Sequence, residues 1–205
     1  CYKIMSHLGQ LYFARKYKET DGNMIWHKLD NEALISASAR LSSAKFIKGF
    51  LPNAYIGRVR QLIIIDVAAE INSHLKLVGS VCNDNCGHLA ECNTHYLYLP
   101  LLDLQPFSEA DVPLLIVLFR QLDQLIFSSS EASTSTLPTF INFHCVMGFS
   151  RSIAMQVLYL VYCDKLNAKN YREWINQYYP NAHLSQAYLP DVVIEAVTDA
   201  MTRAI

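Results

Sequence analysis

An α/β fold with a central, mostly parallel twisted sheet flanked by helices is what this sequence predicts, on three observations. Strand-like runs of β-branched and aromatic residues alternate along the chain with runs of helical periodicity. Apolar residues make up 52% of the chain and charged residues 17%, the balance of a packed core rather than of a disordered segment. A length of 205 residues suits one sizeable domain with an extension, and is too short for two large ones.

Aromatic-rich runs, Leu11-Tyr12-Phe13 and Met24-Ile25-Trp26, flank the turn signal Asp21-Gly22 and predict a hairpin. Asp30 then reads as the N-cap of a helix carrying Ala33, Leu34, Ala37 and Leu41. From Lys45 the pattern turns to strands, Phe46 to Phe50 and Leu51 to Gly57. Leu62-Ile63-Ile64-Ile65 fits a strand or the start of a helix equally well, since a short apolar run does not separate the two. Asp66 to His74 reads as a helix and Leu77 to Cys82 as the next strand.

Cys82, Cys86, His88, Cys92 and His95 follow in a polar stretch. Their types suit zinc, but their spacing is not that of a standard finger or ribbon, so the reading is a polar loop with partly packed thiols. Tyr96 to Leu102 is a strand that delivers Asp103 into a loop containing Pro106. Asp111 precedes Val112-Pro113 and an apolar helix from Leu114 to Phe127, the position of an N-cap. Residues 128–136 are serine- and threonine-rich and read as an inserted loop. Thr139 to Phe143 alternates as a strand, and a helix runs from Arg151 to about Lys165. Asn170 caps another helix, with Trp174, Ile175 and Tyr178, which Pro180 ends. Leu189, Val192, Val193, Ala196, Val197 and Ala200 form the core stripe of a terminal helix.

Between the 139–143 strand and the 151–165 helix lies His144-Cys145-Val146-Met147-Gly148-Phe149-Ser150-Arg151-Ser152. A strand-to-helix turn suits an oxyanion, because the helix N-terminus carries unpaired N–H groups and the positive end of the dipole. Gly148 permits positive φ, which lets successive amides of residues 146–151 converge into an anion-binding nest. Arg151 adds a permanently charged fork for two phosphate oxygens. The same field favours a thiolate at Cys145, a nucleophile. His144 reads as a buried hydrogen-bonding residue that supports the loop, since such a cysteine needs no dedicated base, and Ser150 as a hydrogen-bonder within it.

His144-Cys145-x5-Arg151-Ser152 resembles the signature of the cysteine-dependent protein tyrosine phosphatases, and Gly148-Phe149-Ser150-Arg151-Ser152 resembles its dual-specificity branch. Met147 is similar to the form in some atypical dual-specificity phosphatases, and residues 51–57 to a short segment at the start of that domain. A chance Cys-x5-Arg, or a rhodanese-like loop, is the alternative. The resemblance implies a catalytic domain over residues 46–205, with residues 1–45 as an extension that packs on it or serves as a docking arm. It implies a protein tyrosine phosphatase-like fold, a substrate-selecting role for the 82–94 insert, and a role for Ser152 in stabilising the leaving thiolate.

Removing phosphate from an ester also needs an acid facing the cysteine, to put a proton on the leaving oxygen. Asp103 is the candidate, since the family carries an aspartate after such a strand, although the interval to Cys145 is longer than usual. Asp111 is the rival, weakened by its capping position. The implied activity is a protein phosphatase acting on phosphotyrosine, and on phosphoserine or phosphothreonine, through a cysteinyl-phosphate intermediate. The alternatives are a phosphoinositide, glycan or RNA 5′-phosphate substrate, or a non-catalytic phosphate-binding module. No cofactor or metal is expected, because arginine and amides supply the positive charge.

The net charge of −1 and the lack of a basic run argue against nucleic acid as a partner. No apolar run approaches a membrane span, Leu114 to Phe119 being among the longest. No secretory leader is read at the start, and Cys1 in place of Met is what a piece of a longer product would show. Six cysteines are too few for a disulfide scaffold, and a thiolate nucleophile needs a reducing compartment, so a cytoplasmic setting is expected, with the nucleus as the alternative.

Overall fold

The computed structural model describes residues 25–29, 33–38, 59–69, 93–131 and 137–202. Within them, β1 (His27–Lys28), β2 (Ala33–Ser38), β3 (Gln61–Ala68), β4 (Asn93–Leu101) and β5 (Thr139–His144) form one mixed sheet in the order β1-β2-β5-β3-β4. Only β1 runs antiparallel to its neighbour; the other pairings are parallel. Four helices flank the sheet: α1 (Val112–Glu131), α2 (Arg151–Tyr162), α3 (Tyr171–Tyr178) and α4 (Asp191–Thr202). This is the α/β architecture the sequence predicts. Among the described residues no helix is long and apolar enough to cross a membrane.

Strand β5 sits in the middle, and every residue of it is buried, as is every residue of β3. Continuous burial is expected of parallel strands covered on both faces. Ile35, Ile63, Ile65, Val67, Ile141 and Phe143 project from one face into a core shared with the helices. Leu62, Ile64 and Phe140 are buried on the other, where Trp26 meets Phe140 edge-on at 4.8 Å between ring centroids.

Two expectations are overturned here. The helix expected from Asp30 is instead β2, paired in register with β5 from Ala33 opposite Thr139 to Ser38 opposite His144. Ala33, Leu34 and Ala37 have helical spacing, yet Ala33, Ile35 and Ala37 equally have strand spacing, and six residues cannot decide between them. The sheet partner decides, and the serines gain a use in it. Ser38 Oγ donates to Asn142 Oδ1 at 3.2 Å, while Asn142 Nδ2 donates to Ser36 Oγ at 2.8 Å. Residues 27–38, within the stretch read as an extension, thus supply two strands of the sheet itself. Asp66, read as the start of a helix, continues β3 opposite His144. Its Oδ1 accepts the Ala68 N–H at 3.0 Å, so the local acceptor that suits a helix cap serves a strand end instead. The ambiguous 62–65 run is strand. Most of the predicted N-terminal hairpin, the strands of 46–57, the remainder of the 66–74 helix, the 77–82 strand and the 82–92 loop lie outside the described residues.

Helix α1 begins after a 3₁₀ turn, Glu109–Asp111, and extends beyond the predicted 114–127 through Glu131, taking residues 128–131 from the stretch read as loop. Leu115, Phe119, Leu122 and Ile126 form its buried stripe. Helix α2 is buried from Arg151 to Val161. A Schellman turn ends it: Lys165 N–H reaches Leu160 O at 2.8 Å and Asp164 N–H reaches Val161 O at 3.0 Å, with Asp164 in the left-handed region at φ 54°. In α4 the stripe differs by one position, since Ile194 is buried and Val192 faces outward.

Two polar anchors tie α2 to its surroundings. Gln156 Nε2 donates to Ile35 O at 3.3 Å, and its Oε1 accepts Tyr179 O–H at 2.7 Å. Asp123 of α1 accepts the hydroxyls of Tyr159 and Tyr162, each at 3.0 Å. Burial raises the Asp123 pKa, opposed by these two hydroxyls.

Strand β1 meets α3 through His27, whose ring lies 4.6 Å from that of Trp174 and 4.7 Å from that of Tyr178. Burial there pulls the His27 pKa down from 6.5 to about 4. Between those values the unfolded chain takes up a proton that the folded chain refuses, so this contribution to stability is complete above pH 6.5 and is lost as the pH falls toward about 4. His27→Phe keeps a ring in place and cannot charge. Thermal melts should show a shallower fall in midpoint across this window for His27→Phe than for wild type; identical slopes would refute the assignment.

Candidate active site

The candidate site forms where β5 ends and α2 begins. Cys145 follows the last residue of β5, and its backbone N–H donates to Ser38 O at 3.3 Å, so the end of β2 holds the first peptide of the loop. Gly148 has φ 77°, a conformation that glycine takes without steric cost. It directs the Gly148 N–H onto Cys145 Sγ at 3.1 Å. Ser152, in the first turn of α2, puts its Oγ 3.4 Å from the same sulfur. Two polar groups therefore converge on a thiol whose residue is 2% exposed.

Arg151 is 3% exposed, and a buried guanidinium is stable only when it is paired and hydrogen-bonded. Its Nη1 donates to Leu101 O at 3.0 Å, and its Nη2 lies 3.3 Å from Asp103 Oδ1. The end of β4 thereby brings Asp103 to the arginine that opens α2. Asp103 is 29% exposed, so its carboxyl borders solvent as well as Arg151. The next residue, Leu104, has φ 60° and is 81% exposed. A leucine in the left-handed region is uncommon and costs energy, and such strain gathers at functional turns.

Asp111 is engaged elsewhere. Its Oδ2 accepts both the backbone N–H and the Oγ–H of Ser108, each at 2.8 Å. Ser108 is the cap of this turn and Asp111 its reciprocal partner, a capping box rather than the N-cap predicted for Asp111. His144 is fully buried at the end of β5, its Nδ1 3.8 Å from Asp66 Oδ1 across the β3–β5 pairing. Val146, Met147, Phe149 and Ser150 are half-buried along the loop.

One residue of the site had no signal in the sequence. His183, in the segment after α3, donates its backbone N–H to Phe149 O at 2.9 Å. Its carbonyl accepts Ser150 Oγ–H at 3.3 Å, and its ring stacks on that of Phe149 at 5.5 Å with 19° between planes. The sequence marks residues 180–185 only as a stretch beginning with a helix-ending proline, and nothing in it points back to Phe149. Of the metal-type residues read between Cys82 and His95, only His95 is described, on β4. Among the described residues no three His, Cys, Asp or Glu side chains are grouped to hold a metal ion.

The geometry gathers a buried sulfur, inward-facing N–H and O–H groups, a guanidinium and a carboxyl at one strand-to-helix turn. Such an arrangement can seat a tetrahedral oxyanion over the sulfur. Neither a protein-family model nor a curated protein matches the sequence. Solved structures do. Tk-PTP in its active form is 15% identical, with a TM-score of 0.50 over 85% of this chain and 96% of that one. A putative protein tyrosine phosphatase from Leishmania major is 15% identical, with a TM-score of 0.51 over 86% and 97%. The chain has the protein tyrosine phosphatase-like fold that its loop sequence implied.

The loop conformation carries a consequence for stability. Gly148→Ala would place a Cβ on a residue at φ 77°, at a cost of about 1–2 kcal/mol. Urea unfolding should show a loss of that size, and a Gly148→Ala protein as stable as wild type would contradict the left-handed conformation.

Proposed function

We propose that this chain is a cysteine-dependent phosphatase whose substrate is a phosphorylated protein side chain. The observation that carries this reading is the joining of two half-sites. Cys145 Sγ receives Gly148 N–H at 3.1 Å and lies 3.4 Å from Ser152 Oγ, while Arg151, one residue before Ser152, meets Asp103 at 3.3 Å. In this reading the nucleophile and the anion binder come from one stretch of the sequence, residues 145–152, and the acid from another, at the end of β4.

The thiolate of Cys145 attacks phosphorus, and the bond from phosphorus to the ester oxygen breaks. Loop amides and Arg151 hold the non-bridging oxygens, where charge accumulates in the transition state. Asp103 gives its proton to the departing oxygen. In the second step water attacks the cysteinyl phosphate, the Asp103 carboxylate takes a proton from it, and the sulfur–phosphorus bond breaks. Ser152, whose Oγ lies 3.4 Å from the sulfur, donates its hydroxyl to the departing thiolate. The loop supplies no lysine or arginine other than Arg151, whereas a ligand with several phosphates would be served by further cations. That absence within the loop favours a singly phosphorylated side chain.

Cys145→Ser should abolish turnover of a phosphotyrosine peptide. Asp103→Ala should lower kcat by about 10²–10⁴, and Asp111→Ala, which breaks only the capping box, should leave kcat close to wild type. Steady-state rates on phosphotyrosine, phosphothreonine and phosphoinositide panels test this. Full activity in Cys145→Ser sinks the mechanism, a large loss in Asp111→Ala with none in Asp103→Ala sinks the acid assignment, and turnover confined to phosphoinositides sinks the substrate class.

A further inference from the structure

The contacts of His183 form a brace on the outside of the phosphate-binding loop. They fall on two consecutive loop residues and use three different groups: the His183 N–H on Phe149 O at 2.9 Å, the His183 carbonyl on Ser150 Oγ at 3.3 Å, and ring on ring at 5.5 Å. A trans peptide is planar, with its C=O and N–H pointing to opposite sides, and no peptide in the described chain is cis. Holding the Phe149 carbonyl toward His183 therefore turns the Ser150 N–H away from His183. Gly148, nearby in the same loop, directs its N–H onto Cys145 Sγ.

The brace is itself anchored. Tyr179 begins the turn that leads to His183, with Ala182 N–H on Tyr179 O at 2.8 Å. The Tyr179 hydroxyl is fixed at 2.7 Å by Gln156, a fully buried residue of α2. Helix α2 therefore carries Arg151 and Ser152 on its first turn and, through Gln156 and Tyr179, the support that bears on Phe149 from outside. His183 is exposed, so its ring is not needed to fill the core, and its stacking on Phe149 stands out as a local device.

We propose that His183 is a positioning residue. Its ring holds Phe149 so that the Phe149–Ser150 peptide keeps its amide aimed at the oxyanion over Cys145. This rests on the phosphatase reading only in taking phosphate as the ligand. The stack would act through ring shape rather than charge, so a second aromatic ring should replace it and a polar side chain of similar reach should not.

Calorimetric titration with inorganic phosphate tests this without requiring turnover, on wild type, His183→Ala, His183→Gln and His183→Phe. The expected result is a loss of about three- to tenfold in phosphate affinity for His183→Ala and His183→Gln, the range that an aromatic pair contributes. His183→Phe should return to within about twofold of wild type, on the same basis. Thermal midpoints should stay within roughly 2 °C for all three variants, as expected of an exposed site, so that the affinity change is not a loss of fold. Wild-type affinity in His183→Ala, which keeps the two backbone contacts and removes only the ring, overturns the positioning role of the ring, as does rescue by Gln without rescue by Phe. Wild-type protein that binds phosphate but turns over no phosphoester would overturn the phosphatase reading and leave the brace standing; wild-type protein that binds none would overturn the brace.

Discussion

Parallel pairing of β5 between β2 and β3 sets where the loop begins. Ser38 and Asp66 both stand opposite His144, so all three strands reach the same level at the residue before Cys145. In a parallel sheet the next backbone group must find a partner beyond that level or remain buried without one. The Cys145 N–H finds the Ser38 carbonyl. The backbone at Cys145 is thus registered against the sheet by this pairing, and the Gly148 and Ser152 contacts act on a sulfur carried by it.

A second constraint comes from burying a cation. The sequence puts Arg151 at the first position of a helix that is buried along almost its whole length, and a guanidinium in that position needs acceptors within reach. Leu101 O and Asp103 provide them at 3.0 and 3.3 Å. The end of β4 is therefore bound to the start of α2 by charge, just as the end of β2 is bound to the start of the loop by a backbone hydrogen bond. Asp103 reaches the site because the buried arginine requires a partner there, which gives a physical reason for an acid at the end of this strand.

What was legible in the sequence is what depends on near neighbours. The strand, glycine and helix around Cys145 lie within a few turns of one another, and their chemistry is written in their order. Asp103 is marked by the family resemblance together with the strand that delivers it into a loop, and Asp111 by its place at a helix start, where its bond is to Ser108 rather than to the helix. Strand β2 was not legible. Its small residues satisfy either periodicity, and only the edge of β5, more than a hundred residues away, decides between them. Asp66 misled for a related reason, since an aspartate that caps helices can equally fold its carboxylate back on a strand end. His183 acts through its backbone and a ring contact with Phe149, and neither leaves a mark in the local pattern.

The two halves of the site differ in how firmly they are held. Cys145, Arg151 and Ser152 belong to the junction of a buried strand and a buried helix, and α2 is fastened further along by Gln156 to Ile35 and Tyr179 and by Tyr159 to Asp123. Moving this half would break core packing and several polar links together. Asp103 stands at a turn whose next residue, Leu104, is almost wholly exposed and strained at φ 60°, so its place depends chiefly on the Arg151 contact. One half is thus held by many links within the core, and the other chiefly by a single ion pair to it.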